Sequence, residues 1–192
     1  MDCPPSSDRG LATLPELETP RLILRRLELD DAPFVVALLN EPSFIANIGD
    51  RRVRSIEDAH RYLREGPMAM YEQHGFGLWH VARKTDGAPV GMCGLLKRDT
   101  LLDVDVGYAF FPAYWGQGFA SEAAEATLLH AAGKFGLERV IGVVSEGNTG
   151  SIRVLEKLGM GFERMFAMHP DEPPVRLYGR NLQRRVTESP IT

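Results

Sequence analysis

The chain has 192 residues, 44% hydrophobic and 25% charged, with a net charge of −4. That is enough for one domain with a sizeable core, and it lacks the basic surplus that a general grip on nucleic acid needs. Two cysteines, Cys3 and Cys93, exclude a disulfide framework, and no apolar run reaches the ~20 residues of a membrane span. With no signal peptide at its start, the chain is expected in a reducing cytoplasm, without a membrane partner. Its mild acidity favours cationic or amine-bearing partners.

Residues 1–17, with Pro4, Pro5 and Gly10, show no periodicity and are expected to form a loose tail. A single domain is expected over 18–183, and 184–192 form a second tail. Arg21–Leu27 reads as a strand, with Leu22 and Leu24 on one face and Ile23 and Leu27 on the other. Asp30 or Asp31 caps a helix that runs to Leu39, where Asn40, Glu41 and Pro42 stop it. Residues 43–54 are expected to be loop. Ser55 and Asp58 form a capping box that opens a helix through Arg64. Gly66-Pro67 interrupts it, and a short helix continues to Gln73.

Three strands follow, Gly77–Arg83, Val90–Lys97 and Leu102–Phe111, with Asp86-Gly87 turning the first into the second. They form an antiparallel meander. Beyond a short loop, a helix carries Ala120, Ala123, Ala124, Thr127, Leu128, Ala131 and Phe135 on one stripe, and Gly136 ends it. Val140–Val144 is β-branched, and the right-handed crossover rule sets it parallel to the third meander strand. Asn148 or Ser151 caps a further helix to Leu158. Phe162–Met168 and Arg176–Asn181 close the chain as a hairpin across Asp171–Pro174.

The loop between the third strand and the stripe helix holds Gly116 and Gly118. Glycine allows a sharp turn and close approach of a ligand to the backbone. A helix opening directly behind leaves amides unpaired and aimed outward, which makes an anion cradle. The helix dipole offers only about 0.3–1 kcal/mol, against the roughly 8 kcal/mol of micromolar binding. Charge-assisted bonds from the amides of Gly116, Gln117, Gly118, Phe119 and Ala120, at about 1.5–3 kcal/mol each, close the gap. No Gly-Lys-Ser/Thr follows, which excludes a Walker loop, and Ser121 stands where a dinucleotide fingerprint has a glycine.

Trp115-Gly116-Gln117-Gly118-Phe119-Ala120 resembles the pyrophosphate motif of the GNAT acetyltransferases, Gln/Arg-x-x-Gly-x-Gly/Ala, departing from it at the first position. The longer run Tyr114–Ala123 is similar to the branch that acetylates N-termini of ribosomal proteins and other small amines. Asp105-Val-Gly-Tyr108 resembles the family's Glu-x-Gly-Tyr, the loop opening at Asn148 its Asn-x-x-Ser, and Leu177-Tyr178-Gly179 its closing strand. The resemblance runs from Leu22 to Leu182. It implies an α/β fold with one mixed sheet: an antiparallel meander, a splayed parallel strand pair, and helices on both faces. It also implies acetyl transfer from acetyl-CoA to a primary amine by direct attack in a ternary complex, without a metal. Homodimers are common among such relatives.

On this resemblance, the pantetheine arm runs along Ala109, Phe110 and Phe111. Trp115, Gly116, Gln117, Gly118, Phe119, Ala120 and Ser121 hold the diphosphate, and Asn148 and Ser151 complete the cofactor site. Ser121 either adds a hydroxyl or serves the first helical turn. Lys157 and Arg153 are candidates for the nucleotide phosphates, with a solvated helix face as the alternative for each.

Acetyl transfer needs a neutral amine, a donor for the oxyanion and a proton for the departing thiolate. An α-amine, with a pKa near 7.7–8.0, is already about a tenth neutral at pH 7, so a weak base acting through water suffices. Asp105 is the first candidate base, with a surface carboxylate paired to an arginine as its alternative. Glu146 is the reserve. Ser151 is the candidate acid, against plain N-capping, and Asn148 orients acceptor or cofactor. Tyr114 and Tyr178 are further proton donors or simply core and rim aromatics. Cys93 reads as buried packing, which disfavours an acetyl-cysteine. His60, His74, His80, His130 and His169 show no ligand spacing. Trp79 reads as core or pocket wall. The acceptor is expected to be first a protein or peptide N-terminal amine, then polyamines, aminoglycosides or other small amines. Asn47, Asp50, Asp171 and Glu172 would attract its ammonium. An acyl-CoA-binding regulatory module without turnover is the non-enzymatic alternative.

Overall fold

A computed structural model describes residues 16–168 and 173–182. The elements run β1 (Leu17–Glu18), β2 (Leu22–Arg26), α1 (Ala32–Leu39), α2 (Pro42–Ile48), α3 (Ile56–Leu63), α4 (Ala69–His74), β3 (Leu78–Arg83), β4 (Pro89–Leu96) and β5 (Val104–Phe110). Then come α5 (Phe119–Lys134), β6 (Arg139–Ser145), α6 (Thr149–Lys157), β7 (Gly161–Phe166) and β8 (Val175–Asn181). All eight strands form one mixed sheet in the order β1-β2-β3-β4-β5-β6-β8-β7.

Strand alternation divides the core between the two faces. Leu22, Leu24, Trp79, Val81 and Val140 pack under α5 and α6. On the opposite face Leu27, Met92, Leu39 and Leu63 join the α1–α3 layer. Each of these side chains is at most 2% exposed, and full burial of such a group contributes about 1.5–3 kcal/mol. The stripe foreseen for α5 is the buried one: Ala123, Ala124, Thr127, Leu128 and Ala131 lie inside. Ser55 and Asp58 exchange their capping bonds, both at 3.1 Å.

Four expectations need correction. Residues 43–54 are not all loop, because Pro42 opens α2; proline fits a helix's first turn as well as it ends the one before. Gly66-Pro67 does not interrupt the helical path, since residues 64–68 form a π-turn joining α3 to α4, and the wider turn accommodates proline's missing N–H. The sheet begins at Leu17, inside the expected tail, with Glu16 N donating to Leu24 O at 2.9 Å. β7 ends at Phe166 rather than Met168. Residues 1–15, 169–172 and 183–192, including most of the two tails and the start of the Asp171–Pro174 turn, lie outside the described residues.

The parallel pair opens a gap in the sheet. β5 and β6 are registered only at Val104↔Val140 and Asp105↔Ile141. Beyond that, β5 stays on β4 as far as Phe110 while β6 follows β8 to Ser145. The sheet therefore forks at Asp105.

Candidate active site

Between β5 and α5 the chain makes a short 3-10 turn at Pro112–Tyr114 and then a loop whose geometry requires its glycines. Gly116 and Gly118 have φ of +73° and +81°, the left-handed region that side chains disfavour. Glu122 N bonds Gly118 O at 3.0 Å, while the amides of residues 116–121 make no hydrogen bond among the described residues. Six main-chain donors thus stand open at the N-terminus of a sixteen-residue helix, and a diphosphate fits them. The N–H of Trp115 is not among these donors, since it bonds Pro112 O at 3.1 Å. The indole of Trp115 donates to Phe110 O at 2.8 Å and props the loop against the strand end. The Gln117 side chain is also spent internally, on Ala113 O at 3.0 Å.

A residue from the far edge of the sheet braces this loop. Arg21 donates from Nη1 to Gln117 O at 2.9 Å and from Nε to Glu122 Oε2 at 2.6 Å, and its guanidinium lies 4.6 Å from the Phe119 ring centroid. Thr19 Oγ1 and the Arg21 amide both donate to Glu122 Oε1, at 2.6 and 2.9 Å. Burial opposes ionisation of Glu122, but these partners outweigh it and hold its pKa down. Glu122 would otherwise repel an anion at the helix start. Neither Arg21 nor Glu122 stands out in sequence, because their partners are about a hundred positions away.

Beside the loop an open cavity of about 490 Å³ is lined by Ser121, Lys157 and Gly159 among others. Lys157 borders it and Arg153 does not. Glu125 borders it too, 3.0 Å from Arg180 Nη1.

The free edge of β5 is set by ladder parity. Phe111 N donates to Val90 O at 3.0 Å, so by alternation the main chain of Ala109 and Phe111 turns to β4. The groups facing the fork belong to Tyr108 and Phe110. Of the three residues expected to bond an extended arm, only Phe110 offers its backbone to the gap, and its carbonyl is held by Trp115.

Asp105 stands at the fork, 1% exposed. Its Oδ2 accepts from Arg98 Nε at 2.8 Å, while its Oδ1 makes no well-formed hydrogen bond among the described residues. Burial raises its pKa to about 6 against the pull of Arg98 and, more weakly, of the Val143 main chain on β6. The expected alternative, a surface carboxylate paired with an arginine, is right about the arginine and wrong about the surface. Across the fork Asn148 Oδ1 accepts from Ser151 N at 3.0 Å. Asn148 is therefore the cap of α6, its side-chain oxygen spent on that bond. Ser151 is left with a hydroxyl 2.8 Å from Tyr108 Oη, which also donates to Ser151 O at 3.1 Å. Burial pushes the Tyr108 phenol above its usual pKa. Tyr108 was part of a recognisable motif without a role, since only the docking of α6 supplies its partner.

The remaining candidates are placed as follows. Glu146 pairs with Arg176 at 3.1 Å on the surface. Tyr178 is 2% exposed and packs on Phe162, and Tyr114 lies at the rim near Arg83. Trp79 is core, 1% exposed. Cys93 is fully buried, 3.5 Å from Thr127 Oγ1, with its thiol pushed up to about 12; it is a packing residue and not a nucleophile. Asn47 Nδ2 is bound to Ser43 O, and Asp50 is bound by Arg54 and by the Arg52 amide. Asp50 is thus committed internally and Asn47 only through its amide nitrogen, while His169, Asp171 and Glu172 lie outside the described residues. Among the described residues no group of three His, Cys, Asp or Glu gathers to hold a metal, and no helix is long and apolar enough to cross a membrane.

The model of the acetyltransferase (GNAT) domain matches residues 21–161. An uncharacterized N-acetyltransferase of Bacillus subtilis, YoaA, is 30% identical over 146 residues, covering 76% of this chain and 82% of that one. The structure of a GNAT-family acetyltransferase from Bacillus anthracis superposes with a TM-score of 0.71 at 26% identity, covering 85% of this chain and 96% of the other. The fold is also that of RimL, the ribosomal L7/L12 α-N-protein acetyltransferase solved in complex with coenzyme A, with a TM-score of 0.74 at 17% identity over 85% of this chain and 96% of the other. The chain belongs to the GNAT acetyltransferase family and is an acetyl-CoA-dependent acetyltransferase.

Proposed function

We propose that the protein transfers the acetyl group of acetyl-CoA to an α-amine, by direct attack within a ternary complex. The observation that carries this reading is the fork itself: a parallel pair that ends at Asp105↔Ile141, with a buried and half-satisfied carboxylate at its apex. Acetyl-CoA, seated with its diphosphate on the amides of residues 116–121, supplies an activated acetyl group. Asp105 receives the amine's proton, directly or through one water. With its pKa near 6, it is ionised at neutral pH and still basic enough to share a proton. Tyr108 holds the Ser151 hydroxyl on the other face of β5, where Ser151 donates to the departing thiolate as the phenol passes it a proton, and solvent reprotonates Tyr108 before the next turnover. Base and acid therefore work from opposite sides of one strand, and acceptor and donor need not compete for the same space. Cys93, buried with its thiol near 12, supports direct attack over an acetylated enzyme.

A peptide or protein N-terminus suits a base this weak, because an α-amine is far more often neutral at pH 7 than a lysine. RimL, of the same fold, is an α-N-protein acetyltransferase, which agrees with that choice. Two measurements test the proposal. Acetyl-CoA should raise the melting temperature, and peptides with free N-termini should release CoA thiol while their N-formylated forms do not. No stabilisation by acetyl-CoA would refute it, and stabilisation without turnover on any amine would favour a binding module.

A further inference from the structure

Residues registered across neighbouring strands share a face of the sheet, so Asp105 has Ile141 on one side and Leu96 on the other. On that face β6 and β8 carry Ile141, Val143, Ser145, Val175, Leu177 and Gly179, a run without a charge. Ile141 and Leu177 are buried together with Leu101, while Val143 and Phe166 pack against them and stay half-exposed. The lower end of this cluster is shut. Lys97 Nζ donates to Leu101 O at 2.9 Å and holds the loop that carries it. Arg139, next below Ile141 on the same face, is bound by Asp103 and Glu163.

Above Asp105 the face opens. β5 and β6 no longer pair there, and the next residue of β5 on this face is Gly107, which has no side chain. Leu96 leans over it: a Cβ at Gly107 would lie 2.7 Å from Leu96 Cδ1. Across the gap the residue after Ile141 on this face is Val143, whose main chain approaches the Asp105 carboxylate as a weak donor. At the far end α2 is tied to β6, with Ser145 Oγ donating to Asn47 O at 3.3 Å. The gap thus has at its base Asp105 Oδ1, buried and without a well-formed hydrogen bond among the described residues. Leu96, Val143 and Phe166, all half-exposed and apolar, stand along it.

Apolar surface left half-exposed beside a group that meets the substrate gains by being covered. A second charge set down there would lose its water without gaining a partner. Successive residues on one face of a strand are about 6.5–7 Å apart, so a nitrogen at Asp105 brings an aliphatic side chain of leucine or methionine size level with Val143. We infer that the gap bounded by Leu96, Val143 and Phe166 takes the side chain of the acceptor's first residue, so that the substrate is a peptide or protein N-terminus beginning with an aliphatic residue. This inference rests on the reading of Asp105 as the base that meets the amine. Acidic and basic first residues, and polyamines, are disfavoured because each brings a charge into the gap.

The test uses the full chain with acetyl-CoA and follows thiol release. The acceptors are tetrapeptide amides that differ only in their first residue (Leu, Met, Gly, Asp or Lys), together with spermidine. The Leu and Met peptides should exceed the Gly peptide about tenfold or more in kcat/KM, with the Asp and Lys peptides and spermidine below it. Val143→Phe fills the gap and should remove that preference, the Leu peptide losing at least tenfold more than the Gly peptide. Val143→Thr keeps the shape, adds a hydroxyl and should lower the Leu-to-Gly ratio several-fold; a rise in melting temperature with acetyl-CoA shows that each variant is folded. Equal rates for the Leu and Gly peptides, a preference for a charged first residue or for spermidine, or Val143 variants that slow every acceptor alike would overturn the inference while leaving acetyl transfer standing. Failure of acetyl-CoA to bind, or no turnover on any amine, would instead sink the proposed function and the inference with it.

Discussion

Replacing Asp105 with Asn keeps the shape of the side chain and removes the charge at the fork. The carboxyl's pKa is raised from 3.8 to about 6 by burial, with Arg98 opposing. Two quantities follow. In stability, a carboxyl with a raised folded-state pKa contributes most below its unfolded value and loses that contribution as pH rises through about 6. The difference is on the order of 3 kcal/mol, from the cited shift at about 1.4 kcal/mol per unit. Wild type should therefore gain on Asp105→Asn as pH falls from 7 to 4, by several degrees in melting temperature. Comparing the two proteins cancels the carboxylates that titrate the other way, such as Asp31 and Glu122. In catalysis, both Asp105 and the acceptor amine must be deprotonated. Log kcat/KM against pH should thus rise with slope two below about 6, slope one up to the amine's pKa near 8, and then level. The Asn variant should lose the break near 6 and fall about 10²–10⁴-fold at pH 7.5. A variant within threefold of wild type, or one that keeps the break, would refute the assignment of Asp105 as the base.

Gly118→Asp places a carboxylate in the cradle at φ +81°, with its Cβ 3.4 Å from Arg21 Nη2, and should weaken acetyl-CoA binding at least 10²-fold by calorimetry. Arg21→Ala frees Glu122 to repel the diphosphate and should raise the Kd for acetyl-CoA about tenfold. An acetyl donor truncated before the diphosphate should be unaffected, and an equal loss on both donors would make Arg21 merely structural. Ser151→Ala leaves the Asn148 cap in place and should lower kcat about 10²-fold or more, with little change in melting temperature. Tyr108→Phe should lower kcat by a smaller factor, since the serine hydroxyl remains.

What the sequence shows and what it hides divide along the range of the interactions involved. The Ser55–Asp58 box, the α5 stripe and the glycines at 116 and 118 are local devices, and their residue types imply their geometry. The phase of a strand is not local. Which main-chain groups of residues 108–111 face the fork depends on Phe111 N meeting Val90 O, and shifting that register by one residue would exchange Ala109 for Phe110. Arg21 and Arg98 stay hidden for a related reason: the first reaches Gln117 across 96 positions, and the second reaches Asp105 only because the β4–β5 hairpin closes. One feature of topology links the two halves of the site. Parallel pairing stops at Asp105, so the opening proposed for the cofactor begins at a residue that is still 1% exposed. Asp103, one turn of the pleat earlier, is partly exposed and paired with Arg139, whereas Asp105 is buried at the opening itself. The break that makes the slot also sets the basicity of the group beside it.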